Sequence, residues 1–483
     1  MNPDGDFVLY WMTTARRTTA NFGLQRAVER CAELRKPLVV FEALRCDYPE
    51  ASDRMHQFIL EGMADTRAAL ARAPALYYPY VEATQGHGRG LLKALSQHAC
   101  AIVTDWYPAG FVPHMLSAGA AQAAVHMEAV DSNGIIPLST HDKVFTVARS
   151  YRAFMQRTLR DHLTDFPGEH PLHALRGLPR LETLPAAITR RWPSAPDEVL
   201  EGGPARLAAF PINHDIGPVA MKGGPREAHR RLTAFIEQHA AGYADDRNHP
   251  DHDATSRMSP YLHFGHISAH EIFVALVTHD RWTSRKLGGR AGGKRDGWWG
   301  TSPSVAAYLD QLVVWRELAF STCEYVPNYD RWQTLPDWAK LTLEKHADDP
   351  RPHHYTLAQL DAAATADEVW NAAQRQLVAE GWFHGYLRML WGKKIYEWSP
   401  SAKVALQRME TLMNRYSLDG RDPNSYAGYM WVLGRYDRPW PERPIFGTIR
   451  YMTSASTKRK LKMAAYLAKY GSAPPRPRRN QLS

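Results

Sequence analysis

Cysteine is scarce in this chain. Only Cys31, Cys46, Cys100 and Cys323 occur in 483 residues, and no two have the CxxC spacing of a metal or thiol-redox site. They read as reduced core residues of a cytosolic protein, and no metal is expected. Long apolar runs are also missing. None approaches the roughly 20 residues that span a bilayer, and the opening MNPDGDF lacks the basic-then-apolar order of a signal peptide, so no membrane partner is expected. No Ser/His/Asp arrangement, phosphate loop, HExxH pair or GxGxxG turn is legible. Ordinary hydrolysis therefore has no visible machinery, and a nucleotide ligand has no motif. Charge of one sign is only mildly in excess: 59 Lys and Arg against 50 Asp and Glu give a net charge of +9, which favours a polyanionic partner without identifying one.

The length exceeds the roughly 250–300 residues at which a single core stops growing, so at least two domains are expected. Over the first 135 residues, short apolar runs (FVLYWM at 7–12, PLVVFEAL at 37–44, ALYYPYV at 75–81, AIVTDW at 101–106, AAVHMEAV at 123–130) alternate with amphipathic stretches. Strand followed by helix, repeated, predicts a doubly wound, mainly parallel sheet in an α/β domain over 1–165. A Pro- and Gly-rich connection follows over 166–225. Residues 226–483 carry apolar positions at i, i+3, i+4 and i+7, which predicts an all-helical second domain. Two basic segments, TSRKLGGRAGGKRDG at 283–297 and PPRPRRN at 474–480, are expected to be flexible. The simpler reading of each is a solvated charge run.

The run from Leu418 to Met452 concentrates acids, arginines and large aromatics in helix-breaking sequence. Asp419, Arg421 and Asp422 beside Gly420 and Pro423 suggest a turn that presents charge. Arg435, Arg438, Arg443 and Arg450 alternate with Tyr436, Trp440, Phe446 and Tyr451, as a surface meeting phosphates and exposed bases would. A buried loop whose arginines pair with nearby acids fits the composition equally well. Trp391 and Trp398 are seven residues apart, so on a helix they share a face with a rise of about 10.5 Å. Trp370 lies on the preceding amphipathic stretch. Core packing explains any one of these indoles, while a closely spaced chain of them can relay electrons to a redox cofactor.

ATSRMSPYLHFGHIS at 254–268, WNAAQRQLVAEGWFHGYLRMLWGKKIYEW at 370–398 and the 418–452 run together resemble the flavin domain of the photolyase/cryptochrome family, most closely its class II cyclobutane pyrimidine dimer photolyases. The likeness spans essentially the whole chain, because the N-terminal YWM and the pattern from Arg17 to Asn21 also fit. It implies a monomeric flavoenzyme with FAD folded into the helical domain, UV-damaged DNA as partner, and an antenna chromophore, a deazaflavin or another, in the N-terminal domain.

The resemblance also implies residue roles. Thr255, Ser256 and Ser259, at the start of a helix and with Arg257 among them, would hold the FAD pyrophosphate. Tyr243 matches a family tyrosine at the same site. Arg388 and Asp419 match a salt-bridged pair near the isoalloxazine. Trp391 and Trp370, with Trp398 as a further member, match the electron relay. Trp315, Trp431 and Met389 match the pocket for a flipped-out dimer, and Arg435, Arg443 and Arg450 are candidates for the lesion phosphates.

Two positions depart from the family pattern. Where the family has a glutamate one helical turn before Trp315, this chain has Gln311, which can donate an amide N–H but no acidic proton. Asp310 is adjacent but should point about 100° away, so it should not substitute. The site facing flavin N5 is expected to read Met413 or, after a one-residue shift, Asn414. The expected function is light-driven electron transfer from reduced FAD to a cyclobutane pyrimidine dimer. The alternative is a cryptochrome-like blue-light photoreceptor without efficient repair.

Overall fold

The computed structural model describes residues 1–472, so the basic run at 474–480 lies outside the described residues. Contacts divide the chain into two units. One comprises Met1–Ala241, Ser256–Pro327 and Arg421–Pro423; the other comprises Gly242–Thr255, Asn328–Gly420 and the chain from Asn424 onward.

The first unit is built on β1 (Phe7–Met12), β2 (Leu38–Leu44), β3 (Ala75–Val81), β4 (Ala99–Trp106) and β5 (Met127–Asp131), all parallel in the order β3-β2-β1-β4-β5. Every residue of β1 is buried, as in a parallel sheet covered on both faces. α1 (Phe22–Leu34) packs on β1, β4 and β5, α2 (Asp53–Leu70) on β2 and β3, and α3 (Leu91–His98) on β1 and β4. Four of the five strands fall where the apolar runs place them. The fifth begins later, at Met127, because α4 (Val112–Gln122) ends just before the predicted run and residues 123–126 form the connection back to the sheet.

The Arg17–Asn21 pattern has a structural role. Asn21 caps α1 and donates to the carbonyls of Ala15 and Arg17, while the buried Arg17 guanidinium donates to the carbonyls of Ala20 and Gly265. At the end of β4, one oxygen of Asp105 accepts the N–H groups of Thr13, Thr14 and Ala15 at 2.9 Å each, fixing the turn after β1.

Residues 283–297 correct the sequence expectation. They form a loop, but one pinned to α5 (Ala148–His162). Arg152 donates to the carbonyl of Gly293, Gln156 accepts from Gly293 N and donates to the carbonyl of Lys294, and Arg160 donates to the carbonyls of Ser284 and Leu287. Five glycines lower the steric cost of this path, and the α5 side chains supply the partners that composition alone cannot show.

The second unit is helical. α6 (Glu368–Glu380), α7 (Gly385–Trp398) and α8 (Ala402–Tyr416) pack in succession. The run at 418–452 is not irregular throughout, because Pro423–Val432 forms a ten-residue helix, α9. Proline at its first position suits a helix start, and tertiary packing of Tyr426 and Tyr429, both buried, outweighs poor local propensity. α7 and α9 approach closely at Gly392, where a Cβ would lie 2.5 Å from a Val432 methyl. Among the described residues no helix is long and apolar enough to cross a membrane.

Candidate functional site

The second unit holds a tryptophan cluster. The rings of Trp370 on α6 and Trp391 on α7 stack with centroids 6.3 Å apart and planes 5° from parallel. Trp398, two turns beyond Trp391, meets Trp370 edge-on at 5.5 Å, and Tyr355 meets Trp398 at 5.1 Å. Trp370 therefore bridges the two indoles of α7. All three indoles are buried, whereas Tyr355 is partly exposed and was missed by the sequence reading, which had no pattern to single it out. The polar groups here accept or balance positive charge. Trp370 Nε1 donates to the Trp391 carbonyl at 3.0 Å and Trp391 Nε1 donates to Gln374 Oε1 at 2.9 Å. The Lys394 ammonium above Trp398 is paired with Glu397 at 2.7 Å and Asp367 at 3.6 Å.

One turn before Trp391, Arg388 reaches Asp419 at 2.9 Å and meets both carboxylate oxygens. Ser417 donates its hydroxyl to the same carboxylate, and Asp419 is almost wholly buried. Of the other residues assigned to a flavin, Tyr243 is buried with Arg247 over its ring, and burial pushes its phenol pKa up. Ser256 shares a 2.7 Å hydrogen bond with Tyr308, and Arg257 has a left-handed φ of 53°. Thr255 and Ser256 precede the helix they were expected to open. It is the short segment Ser259–His263, and only Ser259 lies within it. The Thr255 hydroxyl is buried without a hydrogen-bond partner among the described residues, which suits a ligand oxygen. Met413 is buried and Asn414 half-buried on the last turn of α8.

Gln311 and Trp315 share one π-helical turn, Asp310–Trp315, in which Arg316 N–H bonds to the Gln311 carbonyl. Gln311 is exposed and Trp315 half-exposed. Asp310 is buried and held by Arg152 at 2.8 Å, so it is committed to another partner, as its direction on the helix requires. Two residues past Trp315, the Glu317 carboxyl is buried among Ile135 N, Tyr151 and Gly134, and burial pushes its pKa up to about 8. Met389 and Trp431, on α7 and α9 of the second unit, are each half-exposed.

The arginines divide into two kinds. Arg435 was a candidate for phosphate and is not available for it. It is buried, and its guanidinium donates to the carbonyls of Tyr329 and Thr334 at 3.0 and 2.8 Å. Arg443 and Arg450 do lie toward the surface. Arg443 covers Tyr451 at 5.4 Å, and Arg450 and Arg438 cover the exposed ring of Trp440 at 5.6 and 5.9 Å. Beneath α9, the buried ammonium of Lys393 donates to the carbonyl of Val432, the last residue of the helix that carries Trp431. Burial pushes the Lys393 pKa down to about 7.

The first unit holds a cavity of about 650 Å³. Trp11 and Met12 at the end of β1, Leu44 of β2, Tyr80 of β3, and Phe111 and Met115 by α4 form its apolar part, with Arg16, Arg45, Arg89 and Arg421 around it. It lies beyond the carboxyl ends of parallel strands, where such sheets bind ligands. The turn after β3 supplies Gly86, Gly88 and Gly90, two of them with positive φ. That glycine spacing, which is not the six-residue dinucleotide pattern and was not singled out from the sequence, is the signal that could have marked this cavity.

No protein-family model matches the chain. It is 32% identical over 467 residues to a deoxyribodipyrimidine photo-lyase of Methanothermobacter thermautotrophicus, covering 96% of this chain and 94% of that one. The photo-lyase of Arabidopsis thaliana is 31% identical, with 95% and 88% coverage, and that of Potorous tridactylus 32%, with 96% and 81%. Among solved structures, a class III photolyase from Agrobacterium tumefaciens superposes with a TM-score of 0.67 at 16% identity, covering 96% of this chain and 86% of that one. A Synechocystis cryptochrome gives 0.67 at 13%, with 96% and 88% coverage.

Proposed function

From membership of the photolyase/cryptochrome family, to which this chain belongs, we propose that the protein is a light-driven DNA-repair lyase that reverses cyclobutane pyrimidine dimers. The observation that carries the reading is the Trp391–Trp370 stack with Trp398 against it, because closely spaced buried indoles can carry an electron to or from a redox cofactor. The residues fit FAD. Thr255, Ser256, Arg257 and Ser259 would hold the pyrophosphate, Tyr243 would contribute nearby, and Met413 or Asn414 would face the ring. Fully reduced FAD, when bound, supplies the photoexcitable electron donor.

The chain's own groups then have distinct tasks. Arg388 and Asp419 fix one paired charge beside the flavin, so neither is desolvated alone. Trp315, Trp431 and Met389 stack on an extruded lesion, whose damaged bases cost less to unstack than an intact pair. Arg443 and Arg450 hold phosphates, and Trp440 with Tyr451 offers stacking faces between them. Gln311 donates an amide N–H to a dimer carbonyl. The 650 Å³ cavity, largely apolar with arginines at its edge, supports an antenna chromophore with a planar ring, a deazaflavin or another.

The test is repair of an oligonucleotide carrying one cyclobutane thymine dimer by the chemically reduced protein, under blue light and in the dark. Light-dependent recovery of thymines supports the reading. A protein that photoreduces its flavin but restores no thymine is instead the cryptochrome-like receptor, a second reading favoured by the amide at Gln311 and by the commitment of Asp310 to Arg152.

A further inference from the structure

We propose that Gln374 is a positioning residue of the tryptophan relay, holding the Trp391 indole N–H so that Trp391 can lose an electron without losing its proton. The inference rests on Trp391 serving as the electron donor in the reading above. Gln374 is completely buried, and its Oε1 accepts the Trp391 Nε1–H at 2.9 Å. Its own Nε2 is buried with no hydrogen-bond partner among the described residues. An amide placed for stability would satisfy both ends, and a leucine or methionine would fill the same volume without stranding a donor. The position is polar for the sake of the single bond to Trp391.

That bond acts in one direction. When Trp391 gives one electron to a photoexcited flavin, the indole becomes a radical cation and its N–H a much stronger donor. A hydrogen bond to a charged partner is about twice as strong as its neutral counterpart. Gln374 therefore stabilises the oxidised indole more than the reduced one. It does not take the proton, because an amide oxygen is not a base at neutral pH, and the carbonyl of Trp391 that accepts the Trp370 N–H is not one either. Trp370 next returns one electron to Trp391. The indole is restored with its proton in place, and the positive charge moves to Trp370, whose ring is stacked 6.3 Å away. The two transfers move electrons and no protons.

Gln374→Met removes the acceptor at nearly constant volume, and Gln374→Glu keeps an oxygen in its place. In a proton–nitrogen correlation spectrum of indole groups, recorded without light, the signal lost in Trp391→Phe identifies Trp391. It should shift toward a free indole in Gln374→Met and stay put in Gln374→Glu. In transient absorption of the oxidised, FAD-loaded protein, Gln374→Met should lower the share of cation on Trp391 relative to Trp370 about tenfold, with Gln374→Glu restoring it. If Gln374→Met leaves both the indole signal and the radical distribution of the parent unchanged, the proposal is overturned. If the parent protein itself forms no tryptophan radical, the relay reading falls, and the indole spectrum alone still reports whether the hydrogen bond exists.

Discussion

Arg388 and Asp419 lie 31 residues apart in sequence and meet at 2.9 Å, the arginine reaching from α7 to a carboxylate that is almost completely buried. The pair is unequal, since the arginine side chain keeps 27% exposure and the aspartate 3%. Removing the arginine therefore strands a buried negative charge. Arg388→Met is expected to cost ~3 kcal/mol of stability and to reduce bound flavin, whereas Arg388→Lys, which keeps a positive charge for the buried carboxylate, should cost less. Denaturant midpoints and the flavin-to-protein ratio after purification check this. Equal stability of parent and Arg388→Met would mean the pair is not formed.

The tryptophan cluster separates photoreduction from repair. Trp391→Phe and Trp370→Phe are each expected to abolish light-driven reduction of the oxidised protein, while repair by chemically reduced protein stays within about twofold of the parent. Trp398→Phe should slow photoreduction without stopping it, because the stacked pair remains. Flavin bleaching under blue light and thymine recovery are the two readouts. Loss of repair in chemically reduced Trp370→Phe would show that the cluster supports the fold rather than the relay.

Arginines of similar spacing should behave in opposite ways. Arg443→Ala and Arg450→Ala are expected to weaken DNA binding across sequences and to lower the slope of log affinity against log salt by about 1 each. Arg435→Ala should leave that slope unchanged and instead destabilise the protein by ~1–3 kcal/mol, because the carbonyls of Tyr329 and Thr334 lose their donor. Affinity titrations at several salt concentrations, beside thermal melts, distinguish the two kinds.

Four strands were legible because each is a short apolar run in a sheet covered on both faces. The fifth was displaced because residues 123–126, apolar enough to read as strand, are used to connect the end of α4 to the sheet. Helix α9 was hidden by Gly428 and the tyrosines, whose helical state depends on burial rather than propensity. Arg435 could not be told from Arg450 by spacing, since the difference lies in which backbone carbonyls come near. The three tryptophans were identifiable one by one, but Trp370 bridging the other two is a fact of tertiary packing, as is Gln374 beneath Trp391.

Gln311 offers the smallest change with the most direct readout. It is exposed on the π-helical turn with Trp315, so Gln311→Glu should fold without cost. Covered by the bound lesion, the glutamate is desolvated and held protonated, and a carboxylic acid donates a stronger hydrogen bond than an amide to a carbonyl gaining negative charge. Repair yield per absorbed photon is expected to rise about fivefold, equivalent to ~1 kcal/mol. An unchanged yield in a protein that does repair would remove Gln311 from the lesion pocket.

Lys393 gives the pH dependence its sign. The ammonium is buried against the Val432 carbonyl, with Asp437 and Arg450 the charges felt there, and its pKa falls to about 7 from the ordinary 10.5. Between these values the unfolded chain holds a proton that the folded protein has released. Stability owed to this group therefore rises with pH from about 7 toward 10, and is lower below 7, where the buried amine must charge. Glu317, pushed up to about 8, has the opposite slope between the ordinary carboxylate range and pH 8, so the parent's profile alone mixes the two. The difference between parent and Lys393→Met isolates the lysine. The methionine variant should gain relative to the parent at pH 6 and lose that advantage by pH 9. Because Lys393 holds the end of the helix carrying Trp431, affinity for dimer-containing DNA should lose part of its pH dependence in the same variant. A parent-minus-variant stability that does not change between pH 6 and 9 would mean that Lys393 keeps one charge state throughout.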